Sequence, residues 1–288
     1  MTIYNISIIT SSGFPYYYKE IKKLPFRIKL YQRFYDFTEF NDRKPPTIDP
    51  ISHFELNAGL ISALFEFAKN LDKKIRTLEF KTSDNENIEE NSSEDKNKGD
   101  VLICAQTETY LSHKFVKEKI KLIYNLIVIP KMPLESAYII DEAEEKKIID
   151  ILSDQEAKKR ILLKESEIKK QAELFLEEMG PYGLNNIVIT SFDLSPILIL
   201  GEKYSSEDIN TILRKMGGIP RIDPLEWKFL QSFYKEKQIW VYIINSGVGV
   251  TVEKKLFEPY YYLLFTESES YLAEFPGKLT TKFNFILG

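Results

Sequence analysis

The residue types that most often bind metals or act as nucleophiles are scarce in this 288-residue chain, which has two histidines and one cysteine. His53 and His113 have no Cys-x-x-Cys or His-x-x-x-His spacing around them, whereas a zinc site needs three or four convergent ligands. Cys104 lies in the apolar run Val101–Ala105, where a cysteine usually packs as a small hydrophobic residue. We therefore predict no metal site and a buried, structural Cys104.

Other candidate patterns have plainer interpretations. The acidic pairs Glu144-Glu145 and Glu177-Glu178 lie in charged helical segments, and nothing distinguishes them as a general acid/base pair. The segment Asn245–Gly249 has the glycines of a phosphate-binding turn, but it has no following helix start and no lysine partner. We predict a hairpin turn there. The sequence thus predicts a protein that is not an enzyme, with no catalytic residues and no cofactor.

The most distinctive polar feature is a stretch in which basic residues alternate with aromatic ones, from Lys19 to Phe34. Such a surface suits an acidic partner or an anionic membrane surface, although an exposed strand face with packed side-chain stems would give the same pattern. We predict a contact surface formed by Lys19, Lys22, Lys23, Arg27, Lys29, Tyr31, Arg33 and Phe34.

Composition narrows the class of protein. The chain has 39 basic and 43 acidic residues and a net charge of −4, which gives no electrostatic reason to expect a nucleic-acid partner. A single cysteine fits a reducing cytoplasm. The N-terminus lacks the pattern of a signal peptide, and no apolar segment approaches the roughly 20 residues that a membrane span needs. We expect a cytoplasmic protein without a transmembrane segment, and peripheral membrane contact fits the basic stretch.

The elements that would position any site begin with a long helix over Phe54–Leu71, apolar around most of its circumference. Its small residues, including Gly59, favour close packing on a neighbour. We therefore predict a buried central helix lying on a sheet, in which Leu64→Ala or Phe65→Ala should cost roughly 2–5 kcal/mol.

Alternation and turn residues predict the remaining elements of the first half. Leu122–Ile129, the end of the predicted second helix, is rich in β-branched residues, so a strand is the alternative there. The low-complexity segment Ser83–Gly99 cannot bury enough apolar area to become ordered, so we predict a dispensable loop. The predicted strands are Ile3–Thr10, a hairpin partner beginning at Phe14, Phe26–Phe37, Ile75–Thr82 and Asp100–Gln106, followed by a helix over Leu111–Ile127. Phe26–Phe37 is either a third strand or an extension of the second.

The second half begins after a charged helical region, Ala137–Met179, which a capping box at Ser153 and Glu156 would divide into two helices. A strand pair and a helix capped by Ser205 and Asp208 follow. The last segment reads as an antiparallel meander with strands Ile239–Asn245, Val248–Lys254, Tyr260–Thr266 and Lys282–Leu287.

We expect a mixed α+β chain in three regions: residues 1–135, a charged helical connector at 136–180, and a second α+β domain at 181–288. Ile8–Ser11 followed by Pro15 resembles Val188–Ser191 followed by Pro196, which suggests a diverged repeat.

The first half resembles the longin and roadblock group of regulatory domains, and the longin-like proteins of archaea in particular. The resemblance rests on Ile3–Tyr18, Leu56–Leu71, Ile75–Phe80 and the strand and helix of Asp100–Ile127. The shared order is strand–turn–strand, a central helix, more strands and then a helix. Residues 27–50 and the low-complexity segment depart from that pattern.

This resemblance implies a non-catalytic platform for protein–protein interaction in small-GTPase regulation or vesicle trafficking. The partner would be a small GTPase or another longin- or roadblock-type subunit, in a homo- or hetero-oligomer. The alternative is a regulatory sensor that binds a small molecule in the aromatic second half, where Trp227, Trp240 and Tyr260–Tyr262 would line the pocket.

Overall fold

The computed structural model describes residues 2–10, 13–24, 28–37, 50–70, 74, 101–132, 134 and 140–288. By their contacts the residues form two compact units, one of residues 1–37 and 97–288 and the other of residues 38–96. The second unit contains helix α1 (Pro50–Asn70). The predicted strand Ile75–Thr82, the predicted loop Ser83–Gly99 and Arg27 lie outside the described residues. The division into residues 1–135, 136–180 and 181–288 stays a prediction.

The larger unit contains a four-stranded antiparallel sheet in the order β2-β1-β4-β3. The predicted hairpin is confirmed, and a register shift between Ile8 and Ile9 pairs Ile9 with Pro15 next to the turn. The strands are β1 (Ile3–Thr10), β2 (Pro15–Glu20), β3 (Leu30–Asp36) and β4 (Val101–Glu108).

One face of this sheet packs on helices α2 (His113–Ile123) and α3 (Glu142–Leu152). The segment after α2 stays helical, with a π-helical turn at Tyr124–Val128 and a 3₁₀ turn at Ile129–Lys131, so the strand alternative for Leu122–Ile129 is wrong. An N-terminal capping box formed by Asp141 and Glu144 starts α3.

A five-stranded antiparallel sheet of the same unit has the order β6-β5-β9-β8-β7. Its side chains alternate between two cores, because Ile187 and Ile189 lie in one core and Val188 lies in the other. The strands are β5 (Leu184–Thr190), β6 (Pro196–Leu200), β7 (Trp227–Tyr234), β8 (Lys237–Val252) and β9 (Leu256–Glu267).

Helices cover both faces of this sheet. Three of the four pack on one face and α6 packs on the other. The predicted capping box of Ser205 and Asp208 starts α6. These helices are α4 (Gln155–Leu163), α5 (Glu165–Met179), α6 (Ser206–Met216) and α7 (Phe275–Leu287). The mixed α+β class with antiparallel sheets is therefore confirmed.

The prediction of a buried, packed central helix is wrong for the α1 side chains that the structure describes. Phe65 is 58% exposed and Phe67 is 65% exposed, and Leu60 and Ile61 are exposed as well. A Cβ added at Gly59 would meet no atom within 4 Å, so close packing does not explain this glycine. Helical spacing of apolar residues predicted the helix correctly, but it carries no information about what covers the helix.

Three local predictions are corrected. Lys282–Leu287 is helical, because Phe283 and Leu287, one turn apart, are buried while Phe285 is 90% exposed. Asn245–Gly249 is an irregularity inside the single strand β8, not a hairpin turn. Ser153 donates its hydroxyl to the carbonyl of Ile149 and ends α3 instead of capping a helix, and the charged region forms three helices.

Candidate functional site

Strand β7 is an edge strand whose backbone polar groups alternate between β8 and the outside of the sheet. A two-residue turn, Lys235-Glu236, joins β7 to β8, and both residues have positive φ (44° and 68°), as in a type I′ hairpin. In such a hairpin Tyr234 and every second residue before it bond to β8. The hydrogen bond from the Asn245 N–H to the Glu226 carbonyl (3.0 Å) agrees with this pattern, because Glu226 is also an even-numbered residue. The odd-numbered residues from Trp227 to Phe233 therefore direct their N–H and C=O groups outward.

The same odd-numbered residues form an exposed aromatic row on one face of the sheet. Trp227 is 39% exposed, Phe229 51% and Phe233 50%. The ring of Phe229 stacks on Trp240 of β8 with its centroid 4.9 Å away. That contact holds Phe229, in the middle of the row, against the sheet.

The opposite face of β7 is anchored to the rest of the unit. Leu230 packs against the core under α6, and the buried Ser232 donates its hydroxyl to the Ile212 carbonyl of α6 (2.7 Å). Tyr234 meets Tyr204 in an edge-to-face contact with centroids 5.0 Å apart. The strand is thus rigidly held on one side while its outer edge and aromatic row stay exposed.

Charges flank this edge at its two ends. At the turn, the Lys235 ammonium lies 5.0 Å from the Tyr234 ring centroid, and the phenol oxygen of Tyr234 raises the pKa of Lys235. Before the strand, Arg221 pairs with Asp223 (3.1 Å). Within the strand Lys228 is exposed, and by alternation it lies on the face opposite the aromatic row. The row itself therefore contains no charged residue.

The structure does not bring the predicted basic-aromatic stretch together. Lys19 lies on β2 and Phe34 on β3, and these are opposite edges of the four-stranded sheet. With three strand spacings of about 4.8 Å between them, the two ends of the stretch are on the order of 14 Å apart.

Some of its charges are also used within the chain. Lys19 forms an ion pair with Glu145. Arg33 donates to the Thr107 hydroxyl (2.8 Å) and to the Leu111 carbonyl, and burial lowers its pKa. The Arg33 guanidinium also lies 5.3 Å from the ring centroid of Tyr31. The exposed members are Lys22, Lys23, Lys29 and Phe34.

The remaining candidates from the sequence have structural positions. Cys104 is buried in β4, as predicted, and His113 stacks on Tyr35 with ring centroids 5.1 Å apart. The side chain of His53 lies outside the described residues. Across the described part of the chain, no three His, Cys, Asp or Glu side chains are grouped as a metal ion would require.

The aromatic residues of the predicted sensor pocket fill cores, except Trp227, which is exposed on β7. Tyr260, Tyr261 and Tyr262 are buried, and Trp240 packs against the same core as Tyr262. A cleft of about 260 Å³ lies elsewhere, and it is lined largely by charged and polar residues. These come from α3, the turn after it, the start of α4, the end of β8 and the turn that follows β8, and include Lys146, Asp150, Asp154, Lys159 and Glu253.

Sequence reasoning missed β7 altogether. The signal was available, since Trp227–Tyr234 places aromatic residues at alternate positions before a two-residue loop. Two charged residues in that loop, Lys235 and Glu236, hid the turn, because Asn and Gly normally provide its positive φ angles.

The fold and this site define a mixed α+β protein with an open, aromatic sheet edge at β7. Comparison with protein-family models, curated proteins and solved structures finds no match to the chain. No helix among the described residues is long and apolar enough to cross a membrane.

Proposed function

We propose that this chain is a non-catalytic platform that binds a partner protein along the open edge of β7. The observation that carries the proposal is the coincidence, on Trp227, Phe229 and Phe233, of outward backbone groups and exposed aromatic side chains. Proteins usually protect a free edge with charges, proline or a bulge. The odd-numbered positions of β7 have none of these, and its register with β8 is continuous.

The occupant is an extended segment of the partner that adds a strand to the sheet. Main-chain hydrogen bonds to the outward groups of β7 would supply affinity. Every second side chain of the segment would face the aromatic row, so the segment should carry apolar residues at alternate positions. Because Phe229 is already stacked on Trp240, binding would order few side chains, which favours affinity.

The element order of the second half supports a partner of the kind that the resemblance implies. Residues 184–287 contain a strand–turn–strand unit (β5 and β6), a helix (α6), three strands (β7 to β9) and a final helix (α7). That is the order quoted above for the longin and roadblock group. We therefore extend the proposal to a small GTPase or another longin- or roadblock-type subunit as the partner, in the cytoplasm or at a membrane surface.

The test uses two substitutions at Gln231, whose N–H points outward. Gln231→Pro removes that N–H, and a proline is tolerated on an edge strand where the N–H makes no ladder bond. Gln231→Ala keeps the N–H and is the matched control. Both variants should fold, as judged by circular dichroism and thermal melts.

The readout is affinity purification from native-cell extracts loaded with GTP or GDP. Wild type and Gln231→Ala should retain the same partner, while Gln231→Pro and Phe229→Asp should lose most of it. Equal retention by a folded Gln231→Pro variant would rule out strand addition at β7. If the purified chain carried a tightly bound small molecule and retained no protein partner, the sensor function would replace the platform function that we propose.

A further inference from the structure

Four charged side chains are fully buried where the two sheets of the larger unit meet. They are Lys119 on α2, Asp154 between α3 and α4, Asp193 in the turn between β5 and β6, and Glu258 on β9. Thr2, next to β1, donates its hydroxyl to Asp193 and so ties the four-stranded sheet to the five-stranded one. We call these four residues the seam cluster. Its four residues include three carboxyl groups and one ammonium group.

Asp193 has the contacts of an ionised carboxylate. It accepts hydrogen bonds from the Thr2 hydroxyl, the Ser191 hydroxyl (2.7 Å) and the Ser195 N–H (2.9 Å). Burial opposes its ionisation, but the Lys119 ammonium and the hydrogen bond from Thr2 hold its pKa well below the usual range. Asp193 is therefore the negative partner that balances Lys119.

The Ser191 hydroxyl lies between two carboxyl groups, and it has a single proton to donate. Its Oγ is 2.7 Å from Asp193 Oδ1 and 2.9 Å from Asp154 Oδ2. If the proton goes to the donor-rich Asp193, the second short contact can be a hydrogen bond only when Asp154 donates to Ser191. Asp154 Oδ1 then accepts from Lys119. This assignment satisfies the contacts of Ser191 and Lys119 with one proton on Asp154.

The surroundings of Glu258 also indicate that Asp193 is the anion that balances Lys119. Neither of its carboxylate oxygens has a hydrogen bond of normal geometry within the described residues, although Asp154 is close enough to oppose the rise in its pKa. Burial is the largest influence and raises the pKa of Glu258. Burial, followed by the charge of Asp193, likewise raises the pKa of Asp154 well above its ordinary value. Although Lys119 contacts Asp154, charge neutrality among these buried groups comes from Lys119 and Asp193.

We infer that Asp154 carries a proton in the folded protein at neutral pH and acts as a proton-controlled latch between the two sheets. Losing that proton would create a second buried anion beside Asp193 and break the donation to Ser191. Both effects would weaken the contacts that join α2, the α3–α4 turn, the β5–β6 turn and β9. The charged groups that face Asp154 from these elements are Lys119, Asp193 and Glu258.

The direction of the pH effect follows from proton linkage. A carboxyl group whose pKa is raised on folding stabilises the folded state most fully below its unfolded pKa of about 4. That contribution is lost as the pH rises through the folded pKa. For each proton released on unfolding, the unfolding constant rises about tenfold per pH unit.

The test is Asp154→Asn, which reproduces the protonated group, since its amide oxygen can accept from Lys119 and its amide nitrogen can donate to Ser191. Urea unfolding is measured from about pH 5 to pH 7. The variant should be at least as stable as wild type at neutral pH. For each pH unit, the rise in its unfolding constant should be smaller than the rise in wild type by a factor of about ten, because one fewer proton is released. Asp150→Asn, on the cleft wall, is the matched control for removing a carboxylate nearby.

A second measurement covers the case in which Asp154→Asn fails to fold. Infrared spectroscopy of wild type at neutral pH should show the carbonyl band of a buried protonated carboxyl group. Glu258→Gln should reduce the band without abolishing it, because Asp154 still contributes. Absence of the band in wild type would overturn the inference. So would a folded Asp154→Asn variant with the wild-type pH dependence, or with an effect no different from that of Asp150→Asn.

Discussion

Removing Arg214 of α6 from its ion pair with Glu108 of β4 should destabilise the fold strongly. The guanidinium donates through Nε to Oε2 (2.9 Å) and through a terminal nitrogen to Oε1 (2.6 Å) of the same carboxylate. Glu108 is buried and also accepts from the Tyr4 hydroxyl. Arg214→Met would keep most of the side-chain volume but leave a buried carboxylate without its cation.

Removing one partner of a buried ion pair costs about 3–5 kcal/mol. The Arg214 side chain is 22% exposed, so water can partly solvate Glu108 in the variant, and we expect the lower end of that range, about 3 kcal/mol. Urea unfolding followed by tryptophan fluorescence measures the change. Glu108→Gln keeps an acceptor for Tyr4 and completes a double-mutant cycle with Arg214→Met.

The cycle separates the ion pair from the packing of the two side chains. In the double variant no buried charge is left unpaired, so it should be more stable than the sum of the single losses predicts, by about 1–3 kcal/mol. If Arg214→Met unfolds within about 0.5 kcal/mol of wild type, the reasoning that Glu108 depends on Arg214 is refuted.

Three further predictions follow from burial, charge and close packing. Phe65→Ala on the exposed face of α1 should change stability by no more than about 0.5 kcal/mol, whereas Phe283→Ala in the core should cost about 3–5 kcal/mol; paired thermal melts distinguish the two. Because folding lowers the pKa of Asp193, its carboxylate stabilises the folded state at pH values above its unfolded pKa of about 3.9, and this stabilisation is lost as the pH falls through the folded pKa. Asp193→Asn should therefore make stability depend less on pH in an acid-unfolding experiment. Gly249→Ala should lower the melting temperature clearly, because its Cβ would lie 2.1 Å from the Glu258 carbonyl oxygen, and unchanged melting would show that β8 can shift there.

Local sequence signals predicted the elements whose determinants are local. The Ser205 and Asp208 capping box marks the start of α6. The two hairpins whose second strands begin at Pro15 and Pro196 also form as expected. The strand prediction failed at Lys282–Leu287, which contains two aromatic residues two positions apart. The period of four between Phe283 and Leu287 was the correct signal, and a six-residue window is too short to separate the two periods.

The seam cluster could have been partly anticipated. Lys119 lies on the same helical stripe as the apolar Val116, Ile120 and Ile123, and Glu258 shares strand parity with the buried Tyr260. A charge on a buried stripe indicates a partner, because an unpaired buried charge is too costly. The identity of that partner could not be read from the sequence, since Asp154 and Asp193 come from turns far away along the chain.

Exposed apolar side chains on α1 and on β7 do not have equal weight as evidence for binding. On a helix every backbone group in the middle is already bonded within the helix, so Phe65 and Phe67 offer a partner side-chain contact alone. On β7 the same residues that expose their rings also have outward N–H and C=O groups. A bound strand would satisfy those groups and cover the rings at once, which gives both register and affinity. For this physical reason the proposed partner site lies on β7, although α1 was the more conspicuous feature of the sequence.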